Sequence, residues 1–207
     1  MPLDGGNFTF AIYSSLLFAP LVPAMPSLIT AAVNGNADAF SLVLSVSLTG
    51  VQSTIATGLS NTIICTEEQA FVDLEEERAL IAEAGVRDSL ANNPQFNLAA
   101  GFEQSCAIWD LPAADPVETE PVVSVVPTLI LTGEFDPITP PSYGELAVET
   151  LENGYAIEIP GASHDPATLA GPAGVQLIVD FLIDPTRRPD TSAIEQNQVD
   201  FSPEQWT

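Results

Sequence analysis

Residues 122–141, VVSVVPTLILTGEFDPITPP, constrain the fold more than any other stretch. Residues 122–131 form a β-branched apolar run that Pro127 interrupts. Such a run, bounded by Pro and Gly, predicts a strand buried on both faces, the kind found in a parallel sheet. It stops at Thr132-Gly133-Glu134-Phe135-Asp136-Pro137. An acidic residue just past the carboxyl end of a buried strand lies where open α/β sheets place their ligands and chemistry, so Asp136 is the first candidate site residue.

From Ser142 onward the chain has the rhythm of a βαβα unit. Residues 142–151 carry Leu146, Ala147 and Leu151 at helical spacing and close on Asn153-Gly154, a stop signal. Residues 155–159 alternate like a strand that Pro160-Gly161 ends. Next comes Gly161-Ala162-Ser163-His164-Asp165, with the only histidine in the chain. Residues 172–181 then predict a second helix with Val175, Ile178, Val179 and Leu182 as its buried stripe. The order is strand, Asp136, helix, strand, His164, helix.

This order resembles the C-terminal half of an α/β-hydrolase, where the triad runs Ser, then Asp or Glu, then His along the chain. More narrowly, LILTGEFDPITPPSYGELAVETLENGYAIEIPGASH resembles the C-terminal segment of the proline iminopeptidase and tripeptidyl aminopeptidase family. That family's pattern is strand, Thr/Ser-Gly-x-x-Asp-x-x-Thr-Pro-Pro, helix, strand, Pro-Gly-x-Gly-His, and the match covers residues 127–185. The resemblance implies an α/β fold in which Asp136 and His164 are the acid and base of a Ser-His-Asp triad. Singly, each residue has an ordinary reading: a lone structural histidine, and an aspartate that caps a turn before proline. Their order inside the motif favours the pair.

The chain departs from the family in two places. Ser163 stands where the family has Gly before its His, so the backbone there must accept a Cβ. No G-x-S-x-G nucleophile elbow occurs among the 207 residues; Ser60 in GLSNT and Ser163 in GASHD both lack the second glycine. A serine hydroxyl is a poor nucleophile until an imidazole takes its proton, and the acid fixes that imidazole's tautomer and stabilises its cation. Asp136 and His164 alone can orient but not acylate. The expectation is therefore the C-terminal half of an α/β-hydrolase sheet with an N-terminal helical lid and the nucleophile half absent, inactive in isolation.

Charge narrows the partners. Twenty-eight acids face four arginines and no lysine, a formal charge of −24. Such a surface repels nucleic-acid phosphates and anionic lipid headgroups, which excludes nucleic acid. It favours cationic substrates such as a peptide with a free amino terminus, although solubility in a salty habitat accounts for it more readily. One histidine and two distant cysteines build no zinc site, and no Gly-rich phosphate loop follows a strand, so no cofactor or metal is expected. Cys65 and Cys106 permit one disulfide, and the thiols by themselves leave bridged and free states open. In the resembled family cysteines occur in similar contexts in exported enzymes, which implies a bridge and a secreted or periplasmic parent enzyme. Residues 1–6 lack the basic region and cleavage site of a signal peptide.

Residues 8–33 are apolar and uncharged, but Pro20, Pro23 and Pro26 break them, and no membrane span is expected. Residues 8–18, 23–33 and 37–48 instead read as short helices of a cap, resembling the helical lid of the family. Its closing pattern, Gly-x-x-x-(S/T)-(I/V)-x-Cys-x-Glu, resembles the stretch from Gly58 to Glu68. In those peptidases lid glutamates hold the substrate's ammonium group, which makes Glu67 and Glu68 candidate substrate-binding residues. With Glu75, Glu76 and Glu77 they also read as acidic first turns of a solvated helix running to about Ala84. Cys106 and Trp109 are expected to pack inward at the end of the lid.

The expected organisation is a lid over residues 1–110, a connector over 111–121, a hydrolase core over 122–189 and a polar, loosely attached tail over 190–207. The leading function is an aminopeptidase-type serine hydrolase acting on peptides. The others are the same fold acting on a small acyl ester, and a non-catalytic binding module. A first strand left unpaired on one side predicts self-association or poor solubility unless the missing N-terminal half or a second copy covers it.

Overall fold

The computed structural model describes residues 5–36, 41, 55–91, 98–194 and 199–201. In chain order the helices before the sheet are α1 (Gly5–Ser15), α2 (Met25–Val33), α3 (Thr57–Ile63), α4 (Leu74–Glu83), α5 (Asp88–Ala91) and α6 (Leu98–Trp109). After them come β1 (Thr128–Gly133), α7 (Pro141–Val148), β2 (Gly154–Ile159), α8 (Pro166–Leu169) and α9 (Gly171–Ile183). The chain divides into two compact units: Met1–Ala11 with Leu48–Glu120, and Ile12–Ser47 with Pro121–Thr207.

Within the second unit, β1 and β2 pair in parallel, in register from Thr128 opposite Gly154 to Gly133 opposite Ile159. Parallel neighbours require a crossover, and α7 supplies it. Strand periodicity gives the sheet two different faces. Ile130, Thr132 and Ala156 meet α7 at Gly144. On the opposite face Leu129, Leu131, Ile157 and Ile159 form the core with Ala162, Ala170, Ala173 and Leu177. Full burial of a side chain such as Leu177 contributes about 1.5–3 kcal/mol. Helices on both faces of a small parallel sheet make this an α/β arrangement.

Four expectations shift. The strand expected at 122–131 begins only at Thr128, because Pro127 has no N–H to give a ladder. Before it, Ser124 makes a single bridge to Leu151, and Val122, Val123, Val125 and Val126 are exposed. With one neighbour among the described residues, β1 is half-buried until Thr132 and Gly133, not covered along both faces. Helix α9 buries Gly174, Leu177 and Phe181, whereas Val175, Val179 and Leu182 of the expected stripe are exposed. The helix is apolar nearly all round, so periodicity does not single out one face. Helix α7 likewise buries Gly144 and exposes Leu146, since a glycine that lets backbones approach carries no weight in a hydrophobic count. Finally, the segment after Pro189 is not wholly a loose tail: Ile194 is 1% exposed and sits in the core, and the Phe201 ring meets Phe135 edge-on.

In the first unit the Cys65 and Cys106 sulfurs are bonded across 41 residues of chain, tying α6 to the turn just after α3. The helix expected from Glu67 to Ala84 is split. A π turn spans Ile64–Glu68, a 3-10 turn comes next at Gln69–Phe71, and α4 starts afresh after Asp73. Asp73 is its N-cap, accepting the Glu75 and Glu76 N–H groups at 2.9 and 3.1 Å. A cap that satisfies two orphan donors marks a helix start, and the glutamates after it suit the positive end of the helix. Trp109, expected inside, is exposed. Helix α2 ends at Val33, and the helix expected over 37–48 lies, apart from Ser41, outside the described residues. Among the described residues no helix is long and apolar enough to cross a membrane.

Candidate active site

Parallel strands deliver their carboxyl ends to one rim, so the loops leaving β1 and β2 lie side by side. Hydrogen bonds continue the pairing past the strands. Glu134 N–H donates to the Ile159 carbonyl at 3.3 Å and Phe135 N–H to the Ala162 carbonyl at 2.9 Å. In return Gly161 N–H donates to Glu134 Oε2 at 2.8 Å. The turn takes its left-handed residue at Gly161, φ 71°, two positions before Ser163. Ser163 is fully buried and its hydroxyl donates to the Leu16 carbonyl. The left-handed position of the turn is Gly161, and the backbone at Ser163 accepts a Cβ.

Asp136 lies within the first loop with its side chain only 2% exposed, while the His164 side chain, from the second loop, is 44% exposed. The His164 Nδ1 lies 3.1 Å from each Asp136 carboxylate oxygen. The carboxylate has three further donors. Ile138 and Thr139 N–H groups reach Oδ1 at 2.9 and 3.0 Å, and the Thr139 hydroxyl donates to Oδ2 at 2.6 Å. Burial pushes the carboxyl pKa up, but the hydrogen bonds from Thr139, Ile138 and His164 outweigh it and hold it below the ordinary 3.8. Asp136 is therefore a buried anion facing an imidazole. Tyr13, half-buried in the same unit, feels that anion: burial and then the Asp136 charge raise its phenol above the ordinary 10.0.

A carboxylate on Nδ1 favours the tautomer with its proton there, leaving Nε2 as the acceptor. Among the described residues no hydrogen bond engages Nε2. A half-exposed imidazole so oriented can take a proton from a hydroxyl presented at the rim and return it to a leaving group.

Residues 94–193 match the TAP-like protein family. The match spans both strands and both rim loops and supports an α/β-hydrolase family member. No curated protein and no solved structure matches the chain. Glu67 and Glu68 are exposed on the π turn of the first compact unit, whereas Asp136 and His164 belong to the second. Sequence alone marks Thr139 only as part of a motif and singles out neither Glu134 nor Tyr13. The D-x-x-T spacing is a usable signal, since an aspartate often accepts the N–H groups two and three residues on. Nothing in the apolar α1 pattern marks Tyr13.

Proposed function

We propose that Asp136 and His164 are the acid and base of a serine hydrolase of the aminopeptidase type, which releases residues from peptide amino termini. The observation that carries this reading is the contact of His164 Nδ1 with both oxygens of a buried Asp136 at the carboxyl rim of a parallel pair. The nucleophilic serine comes from outside these residues, because the sequence contains no G-x-S-x-G elbow. The isolated chain then positions a base without a hydroxyl to activate and is inactive in acyl transfer. The resembled peptidases hold a substrate's ammonium group with lid glutamates, and Glu67 and Glu68 are this chain's candidates for that role. The −24 charge favours the same cationic substrates.

The test is reconstitution. A fluorophosphonate probe should label nothing in the chain alone. Paired with an α/β-hydrolase N-terminal half that carries the serine elbow, it should be labelled and should hydrolyse aminoacyl or tripeptidyl amides with free amino termini. Asp136→Asn should then cost about ten-thousand-fold in kcat. Reconstituted hydrolysis indifferent to Asp136→Asn and His164→Ala would refute the acid–base assignment. Faster turnover of short acyl esters or of N-blocked peptides would refute the aminopeptidase assignment.

A further inference from the structure

The terminal torsion of an aspartate is broad and roughly two-fold, so a carboxylate does not hold its plane unaided. At Asp136 the donors that fix it come from two neighbouring residues. Ile138 and Thr139 N–H groups pin Oδ1 at 2.9 and 3.0 Å, and the Thr139 hydroxyl pins Oδ2 at 2.6 Å. The last distance belongs to the short, charge-assisted class. Pro140 biases the Thr139 backbone toward extended conformations, and Pro141 opens α7, so the residue is held at the loop's exit. His164 Nδ1 stands equally far, 3.1 Å, from both oxygens, an arrangement that a rotated carboxylate could not keep.

The geometry points to Thr139 as the positioning residue of the pair: its hydroxyl stops the Asp136 carboxylate from turning about its Oδ1 bonds and so fixes the tautomer and orientation of His164. This rests on the acid–base reading of Asp136 and His164. With the hydroxyl gone, two N–H groups still hold Oδ1, so the aspartate stays in place while Oδ2 swings free. Among the described residues, His164 and Tyr13 are titratable groups that interact with the carboxylate. Thr139 touches no reacting atom; it acts through Asp136, which acts through His164.

Because His164 is the only histidine, its ring nitrogens give unambiguous 15N signals in the full-length chain. Thr139→Val keeps the shape and removes the hydroxyl; Thr139→Ser keeps the hydroxyl. The valine variant should speed exchange of the Nδ1 proton with water about tenfold, the factor carried by one charge-assisted hydrogen bond. It should also move the neutral ring toward the Nε2–H tautomer and raise the Asp136 titration followed by carboxyl 13C. The serine variant should restore all three. Should valine perturb the loop, Thr139→Ala gives the same comparison. A hydroxyl with a purely structural role would lower the melting temperature and leave the imidazole signals in place, which overturns the assignment. If Asp136→Asn shifts those signals and Thr139→Val does not, Thr139 is no positioning residue and the acid–base reading stands. If neither variant shifts them, both fall.

Discussion

Gly133 is where the fold and the candidate site are coupled, and its replacement by alanine is the most informative single perturbation. A Cβ there would stand 2.2 Å from the Ser163 carbonyl oxygen, 2.8 Å from its carbon and 2.9 Å from the Ala162 carbonyl carbon. All three are backbone atoms beside His164, so no side-chain rotation relieves the clash and the two rim loops must separate. Overpacking of this kind costs about 1–3 kcal/mol. Separation also loosens the Phe135–Ala162 and Glu134–Ile159 backbone bonds and the Gly161–Glu134 bond, at about 1 kcal/mol for each one lost. Gly133→Ala should therefore destabilise the sheet unit by about 2–5 kcal/mol. Because the chain has two compact units, one global melt is a poor gauge, and hydrogen exchange of the β1 and β2 amides in urea is the assay. Gly58→Ala, where nothing lies within 4 Å of the added Cβ, is the control and should leave those amides unchanged. Strand protection in Gly133→Ala equal to wild type would refute the close approach of the two loops.

Acid stability gives a second prediction. Asp136 titrates below its ordinary 3.8, so its contribution is fully present above that value and is lost as pH falls through the lower folded value. Protonating 28 carboxylates relieves self-repulsion with the opposite sign, so the comparison is between variants. Below about pH 4, urea melts of the sheet unit should lose more stability in wild type than in Asp136→Asn, and parallel curves would contradict the paired anion. Reducing the Cys65–Cys106 bond, which closes 41 residues, should cost the first unit about 4 kcal/mol while leaving β1 and β2 exchange intact. An unchanged urea midpoint for that unit after reduction would contradict this. Asp73→Ala removes two donors' acceptor at the start of α4 and should cost about 1 kcal/mol of local stability, read from α4 amide exchange.

The βαβ core is legible because its signals are local. A β-branched run, two Pro-Gly or Asn-Gly stops and a helical spacing set α7, β2 and the end of β1 closely, though not where β1 starts. What the sequence conceals depends on neighbours. Pro127 looks like an interruption within a strand, and only a ladder with a partner turns its missing N–H into the strand's starting point. The buried face of α9 is hidden because Val175 and Leu177 are equally apolar; the core selects Leu177. Ile194 lies inside a polar stretch and gives no periodicity, yet its burial docks the segment after Pro189. At the candidate site, Asp136 and His164 stand out by motif and by uniqueness. The donors that hold the carboxylate require coordinates, since hydrogen-bond direction is not a sequence property. The Ser163 hydroxyl reaching the Leu16 carbonyl joins positions too far apart for any spacing rule.

The contact between Asp136 and His164 is tested most directly by the 15N spectrum of the single imidazole at a pH where it is neutral. The geometry predicts a ring protonated at Nδ1, with that proton protected from water and lost to the Nε2–H form in Asp136→Asn. A ring already in the Nε2–H form, exchanging freely and indifferent to Asp136→Asn, would contradict the pairing and with it the hydrolase chemistry assigned to this rim.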